Sequence, residues 1–352
     1  MRGVAETEGL TSQPRPNSIP TQVVTDANPV LEVRDLVVQY RAFDDEGAPV
    51  QAVRGVSFHL SQGEALGIVG ESGSGKTTIG LAIMRLLPPA AMVVSGQILI
   101  EGRDILKLPQ DELDRVRWKT IAMAFQGAQN ALNPVQRVLD QITEPMMVHD
   151  GLGREAARMR ARELLDRVGI DPRRGDGYPH EFSGGMLQRA VIAMALACQP
   201  RILIADEPGT AQDVVVQGQI LELLLDLQKD MHLATLIISH DLSVIRFLTN
   251  RCLVVYAGDL AETGPTNVLF GSPKHPYLEM LVRSFPSLRD EVRHLDVIPD
   301  RPPDLADLPT GCTFHPRCPV VMPICRTEAP PDFEVSADHF AACWRNADRS
   351  VE

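Results

Sequence analysis

The sequence predicts an α/β fold built around a phosphate-binding loop, with a small cysteine-rich extension at its C-terminal end. Three observations predict it. Short apolar runs of strand type alternate with longer segments of helical periodicity. One such run, Ala65 to Val69, passes through a glycine-rich turn into a helical segment. Four of the six cysteines lie beyond residue 311, in a proline-rich stretch.

The rest of the chain is organised around the glycine-rich turn. Gly70-Glu71-Ser72-Gly73-Ser74-Gly75-Lys76-Thr77 is a P-loop pattern in the strand–loop–helix context it requires. Glycines let the backbone wrap phosphate oxygens with N–H groups pointing inward. The positive end of the following helix adds attraction for anions. Lys76 is expected to reach the β- and γ-phosphates, and the Thr77 hydroxyl to ligate Mg²⁺.

Composition bounds the remainder. A chain of 352 residues holds two domains, or one large domain with an extension. No window approaches ~18 uninterrupted apolar residues, so no membrane span is expected. The N-terminus lacks a basic region followed by an apolar core, so no secretory signal is expected and the chain should stay in the cytoplasm. A net charge of −12 argues against a nucleic-acid binder that relies on phosphate neutralisation. In that compartment six cysteines are not a disulfide framework.

In chain order, residues 1–28 are polar and proline-rich and read as a disordered tail. Leu31–Val33, Leu36–Tyr40 and Val53–Leu60 read as strands, with a turn from Arg41 to Pro49. Tyr40 is placed either to stack on adenine or to be a half-buried strand residue. Gly96–Ile100 and Thr120–Gln126 are further strands. Gln126 at a strand end can offer its amide oxygen to Mg²⁺ or to a water. Val135–Asp171 turns helical, with Ala157, Ala161, Leu164, Leu165 and Val168 on one apolar face and the arginines solvated. Ser183-Gly184-Gly185 precedes another helix and makes a second anion-binding N-terminus. Arg201–Asp206 is a buried strand ending in Asp206-Glu207. Asp206 is placed to hold Mg²⁺, and Glu207 to orient or deprotonate the attacking water. Asp213 lies in the next loop, Val214–Lys229 is helical, and Leu233–Ser239 is a strand that runs into His240. That histidine is placed for a γ-phosphate or for a structural role. No nucleotide motif lies beyond about residue 241.

Together these stretches resemble the nucleotide-binding subunit of an ABC transporter. Gly70 to Thr78 matches Walker A, Gln126 the Q-loop, and Phe182-Ser183-Gly184-Gly185-Met186 the signature. Ile202 to Glu207 matches Walker B, Asp213 the D-loop and His240 the switch histidine, with Tyr40 at the adenine-stacking position. The resemblance implies an ATPase with a RecA-like P-loop NTPase core over residues 29–270 and a helical subdomain near 127–190. It also implies ATP and Mg²⁺ as cofactors, with Thr77 and Gln126 toward the metal. Glu207, His240 and Gln126 would be the catalytic residues. Each ATP would lie between one Walker A and the signature of a second subunit. Ala131-Leu132-Asn133-Pro134, Ser183 to Arg189 and Pro273-Lys274-His275-Pro276-Tyr277 resemble the dipeptide/oligopeptide importer branch. That branch implies two transmembrane permease subunits, an extracytoplasmic peptide-binding protein and a place on the cytoplasmic face of the membrane. Another cargo, such as nickel, is the alternative within transport. A soluble ABC ATPase acting on DNA or ribosomes is the alternative outside it. Such a protein expects coiled-coil insertions or paired cassettes, and the acidic chain has neither. Two positions depart from the usual DEPTTALD: Gly209 and Gln212 in Asp206-Glu207-Pro208-Gly209-Thr210-Ala211-Gln212-Asp213. They bear on how the D-loop packs across a dimer.

The C-terminal domain is expected over 271–352, with Pro299–Pro309 as a linker. Cys312, Cys318, Cys325 and Cys343 lack the tight knuckle of zinc sites and match neither ferredoxin spacing. Spacing leaves zinc, iron–sulfur, free thiols and disulfide open. The resemblance to peptide-importer ATPases implies a [4Fe–4S] cluster, stapling a segment too poor in apolar residues to fold alone. Cys198 and Cys252 read as core residues in a helix and a strand.

Overall fold

The computed structural model describes residues 29–41, 48–127, 131–210, 212–284 and 301–349. The expected N-terminal tail and the middle of the Arg41–Pro49 turn lie outside them. Twelve strands are described: β1 (Leu31–Tyr40), β2 (Val50–Leu60), β3 (Ala65–Val69), β4 (Ala91–Ile100), β5 (Arg103–Asp104) and β6 (Ile121–Ala124), then β7 (Ile202–Asp206), β8 (Ala234–Ser239), β9 (Arg251–Tyr256), β10 (Asp259–Pro265), β11 (Phe333–Ser336) and β12 (His339–Ala341). The α-helices are α1 (Lys76–Ile83), α2 (Gln110–Lys119), α3 (Val138–His149), α4 (Arg154–Arg167), α5 (Gly184–Ala195), α6 (Val214–Met231), α7 (Leu242–Leu248), α8 (Thr266–Gly271) and α9 (Pro276–Ser284).

Two sheets organise the chain. An eight-stranded sheet runs β11-β12-β10-β9-β3-β8-β7-β6, and a four-stranded antiparallel sheet runs β2-β1-β4-β5. β6, β7, β8, β3 and β9 are parallel. Such strands are covered on both faces, which is why they read as unbroken apolar runs. Alternate residues serve two cores. Leu66, Ile68, Ile204, Leu236 and Leu253 face β1, β2 and α1, whereas Val69, Leu203, Ile237 and Val254 face the other helices.

Leu31–Val33 and Leu36–Tyr40 form one strand rather than two. The polar Arg34-Asp35 between them is a bulge: Asp35 has φ +46° and its N–H donates to Ser57 Oγ at 2.8 Å. The helical region holds the expected apolar face, since Ala157, Ala161, Leu164, Leu165 and Val168 are buried. Its arginines are not simply solvated, because Arg158 pairs with Asp140 and Asp176 across to neighbouring segments. Cys252 is buried in β9 as expected. Cys198 is buried too, but in a turn beyond the end of α5.

The C-terminal segment does not stand apart. β12 adds to β10, so the segment extends the central sheet. Phe314, 1% exposed, packs into the main core against Tyr256 and Tyr277 with ring centroids 5.1 and 5.5 Å away. Leu305 and Leu308 pack on the same core, so this part of the expected linker is a strap lying on the protein. The segment therefore borrows an apolar interior from the cassette, which corrects the expectation of a tail without one. Among the described residues no helix is long and apolar enough to cross a membrane.

Candidate functional site

The site assembles where β3, β7 and β8 end. β3 delivers the 70–75 loop, and α1 begins at Lys76. Two glycines are required by close approach. A Cβ on Gly70 would sit 2.2 Å from the Val255 carbonyl oxygen. One on Gly75, at φ +103°, would sit 2.2 Å from that of Ala52. Ser72 and Gly73 lie exposed in the loop and Ser74 is buried. Lys76 Nζ donates to the carbonyl oxygens of Gly70 and Glu71, each at 2.8 Å. Burial holds its pKa below the usual lysine value, partly offset by the carboxylates of Glu207, Asp206 and Glu71. An ammonium with so little water around it is well placed to meet phosphate oxygens.

β7 delivers the acid pair. Thr77 Oγ1 donates to Asp206 Oδ1 at 3.3 Å, so the two expected metal-side groups adjoin. Burial raises the Asp206 carboxyl to about 6, against the opposing pull of Thr77 and Lys76. A divalent cation beside these two oxygens would restore the ionised form, and Thr77 with Asp206 are the residues that would hold it. Glu207 follows with φ +53° and 8% side-chain exposure. Its Oε1 lies 2.7 Å from His240 Nδ1 and accepts the His240 backbone N–H at 3.1 Å. Its Oε2 accepts from Thr210 at 3.0 Å and Ser239 at 3.4 Å. Four donors thus fix the carboxylate. His240 joins the site through Glu207 while its own ring is 56% exposed. Tyr40, at the end of β1, reaches the first turn of α1, with its OH 3.3 Å from Thr78 Oγ1.

Not everything converges. Gln126 is exposed just beyond β6. Ser183 caps α5 by accepting the Met186 N–H at 3.3 Å, and Asp213 caps α6 by accepting the Val216 N–H at 2.9 Å. These two caps form a second group. A Cβ on Gly184 would lie 2.9 Å from Gln212 Oε1, and one on Gly185 would lie 2.4 Å from Val216 Cγ1. Gln212 thus fills the space beside the signature turn, and Gly209 adopts φ +91°, where a side chain is strained. Among the described residues, no hydrogen bond joins Ser183–Gly185 to residues 70–78 within one chain.

Two side chains that sequence reasoning missed touch that loop. Tyr277 Oη accepts the Glu71 N–H at 2.9 Å. Arg317 grips the Glu71 carboxylate through both nitrogens, at 2.7 and 2.9 Å. Both lie beyond residue 241, where no nucleotide contact was expected. The His-Pro-Tyr motif was the available signal for Tyr277; Arg317 had none.

Cys312, Cys318, Cys325 and Cys343 all line one cavity, with His275, Phe314, Met322 and Trp344 among its walls. None of them is in a disulfide. Burial pushes the Cys343 thiol up to about 11 and raises Cys318 as well. Among the described residues, no group of three or more His, Cys, Asp or Glu is arranged to hold a metal ion, the four cysteines of the expected cluster included.

The fold is that of the ATP-hydrolysing cassette of ABC transporters. The ABC transporter family model matches residues 53–210, and the model for the oligopeptide/dipeptide transporter C-terminal region matches residues 261–325. The chain belongs to the ATP-binding proteins of the oligopeptide/dipeptide ABC transporter family. It is 47% identical over 319 residues to the oligopeptide transport ATP-binding protein OppD of Bacillus subtilis, covering 90% of this chain and 88% of that one. It is 43% identical over 290 residues to the dipeptide transport ATP-binding protein DppD of Escherichia coli, covering 82% and 89%. The ATP-binding cassette MJ0796, in a dimeric post-hydrolysis state bound to ADP and Pi, superposes with TM-score 0.60 at 28% identity, covering 67% of this chain and 98% of that one.

Proposed function

We propose that this chain is the ATPase subunit that powers import of di- or oligopeptides, working from the cytoplasmic face of the membrane. The observation that carries the cargo is the peptide-transporter C-terminal region on the same chain as the cassette. In this reading ATP rests on residues 70–78 with its adenine on Tyr40 and its Mg²⁺ near Thr77, Asp206 and Gln126. Glu207, positioned by His240, orients or deprotonates the attacking water. Ser183, Gly184, Gly185 and Asp213 face the nucleotide of a partner subunit. The cassette spans 29–270, its helical subdomain spans about 127–190, and the C-terminal domain follows from 271. The helical subdomain exposes Val135, Val148 and Met159, apolar surface suited to a permease. Peptide never touches this chain; its binding protein and the permeases select it. The test is co-purification with the neighbouring gene products, followed by reconstitution in proteoliposomes. ATP hydrolysis should rise with peptide-loaded binding protein. Stimulation by nickel alone would overturn the cargo, and recovery on DNA or ribosomes would overturn the class.

The finer reading of the cysteine cavity is a [4Fe–4S] cluster on Cys312, Cys318, Cys325 and Cys343. Four thiols around one cavity suit the donor set. Zinc would need the sulfurs drawn to about 3.8 Å from one another, as its bond lengths require. When bound, the cluster supplies iron–thiolate bonds that fasten four separate points of the chain. Thiols raised by burial must lose protons to bind it, so loading should weaken as pH falls. Anaerobic purification should yield a brown protein with about four irons per chain, as the four-iron cluster requires. A colourless protein with stoichiometric zinc, or none, would overturn the cluster and leave the ATPase reading intact.

A further inference from the structure

Glu71 is an awkward residue to find in a phosphate loop. Its carboxylate stands beside the site for a polyanion, and an unbalanced negative charge there opposes binding. In the fold every polar group of Glu71 has a partner. Its carbonyl accepts from Lys76 Nζ at 2.8 Å, its N–H donates to Tyr277 Oη at 2.9 Å, and its carboxylate is gripped by Arg317. Two of those three partners come from beyond the cassette motifs.

Arg317 is built to hold still. Its side chain is 4% exposed, its guanidinium lies 5.8 Å from the Tyr256 ring centroid, and Nη1 also donates to Tyr256 Oη at 3.3 Å. Tyr256 in turn packs ring against ring with Tyr277 and Phe314, which also meet each other. A two-pronged guanidinium–carboxylate pair fixes orientation as well as charge. The turn that carries it, His315–Arg317, is bracketed by Cys312 and Cys318. Cys312 is tied to the rest of the cysteine cavity by its N–H bond to the Cys325 carbonyl at 2.8 Å.

We propose that Arg317 is a positioning residue for ATP: it cancels the charge of Glu71 and holds the first turn of the phosphate loop from the cysteine-bearing segment. The C-terminal segment then acts on nucleotide affinity without touching nucleotide. This rests on ATP's phosphates lying on residues 70–78. Lys76→Ala tests that placement, because it removes a bond to the Glu71 carbonyl but leaves the Arg317–Glu71 carboxylate pair in place. Wild-type ATP binding in Lys76→Ala would therefore discard the placement, whatever the Arg317 variants do.

The experiment measures ATP dissociation constants on the purified full chain, and KM and kcat on the assembled complex. Arg317→Met keeps the length of the stem and removes the charge. It should raise Kd and KM about tenfold, the effect of losing a hydrogen-bonded charge pair, with kcat changed less than about twofold. Arg317→Lys should fall between, because it keeps charge and loses the fork. Pairing Arg317→Met with Glu71→Gln should recover most of the lost affinity, since no bare carboxylate remains. A purely structural role predicts no such recovery. Kd within about twofold of wild type in Arg317→Met, or a double variant no better than the single, overturns the proposal. If Arg317→Met does not fold, Arg317→Lys decides: unchanged ATP affinity overturns it, and a severalfold loss with unchanged kcat upholds it.

Discussion

Glu207→Gln is expected to retain ATP binding and to slow hydrolysis by roughly 10²-fold or more, the scale of removing a positioned proton acceptor. The carboxylate closes β7 and is fixed by the His240 backbone N–H and side chain, with Thr210 and Ser239 on its other oxygen. An amide of the same shape keeps part of this net, so the β7 end should survive the substitution. What it loses is basicity toward a water. Lys76, Thr77 and Asp206 are untouched, so nucleotide should still bind. Single-turnover hydrolysis in the assembled complex separates the two effects. Near-wild-type turnover with Gln at this position would leave Glu207 as a capped strand end and nothing more.

The cassette was readable because each of its motifs carries its chemistry within a few consecutive residues. Strand, glycine turn and helix around Lys76 are local facts, and so is the acid pair at the end of the apolar run before Glu207. The strands of the parallel sheet are buried on both faces, which makes their apolar runs stand out. What could not be read are pairings across long stretches of chain. Glu71 and Arg317 are 246 residues apart, and neither sits in a pattern that names the other. The cysteines illustrate the same limit. Their spacing does not show that they share one cavity, because folding, not sequence distance, gathers them there. The broken strand at Arg34-Asp35 failed for a local reason: a bulge looks like an interruption, because its polar residues leave the alternation that marks a strand. Ser183 and the 70–78 segment were likewise read from separate local motifs, and within one chain the two groups do not meet.

The second large effect should come from Glu262→Ala. Glu262 lies in β10 with no side-chain exposure, and His339 of β12 covers it at 1% exposure. Its carboxylate accepts the N–H of Lys274 at 2.9 Å, the N–H of His275 at 2.7 Å, and lies 2.7 Å from His339 Nε2. One side chain thus ties the start of the His-Pro-Tyr turn to the strand that receives the C-terminal hairpin. The His275 ring in turn accepts the Tyr277 N–H at 3.1 Å, and Tyr277 reaches Glu71. Alanine would leave two buried donors, the His275 N–H and His339 Nε2, and the half-buried Lys274 N–H without this acceptor, at a cost of about 3–5 kcal/mol. Against a total stability of roughly 5–15 kcal/mol that is enough to release the segment. Trp344 reports on this region directly, because it donates to the Glu328 carbonyl and packs against Phe333. The only other tryptophan is Trp118, so a Trp118→Phe background makes Trp344 fluorescence specific. In that background Glu262→Ala should unfold around Trp344 at markedly lower urea than wild type. Glu262→Gln should lose less, since its amide oxygen still accepts. A midpoint shift corresponding to under about 1 kcal/mol, the net value of one ordinary hydrogen bond, would show that the three donors find other partners and that the segment is held elsewhere.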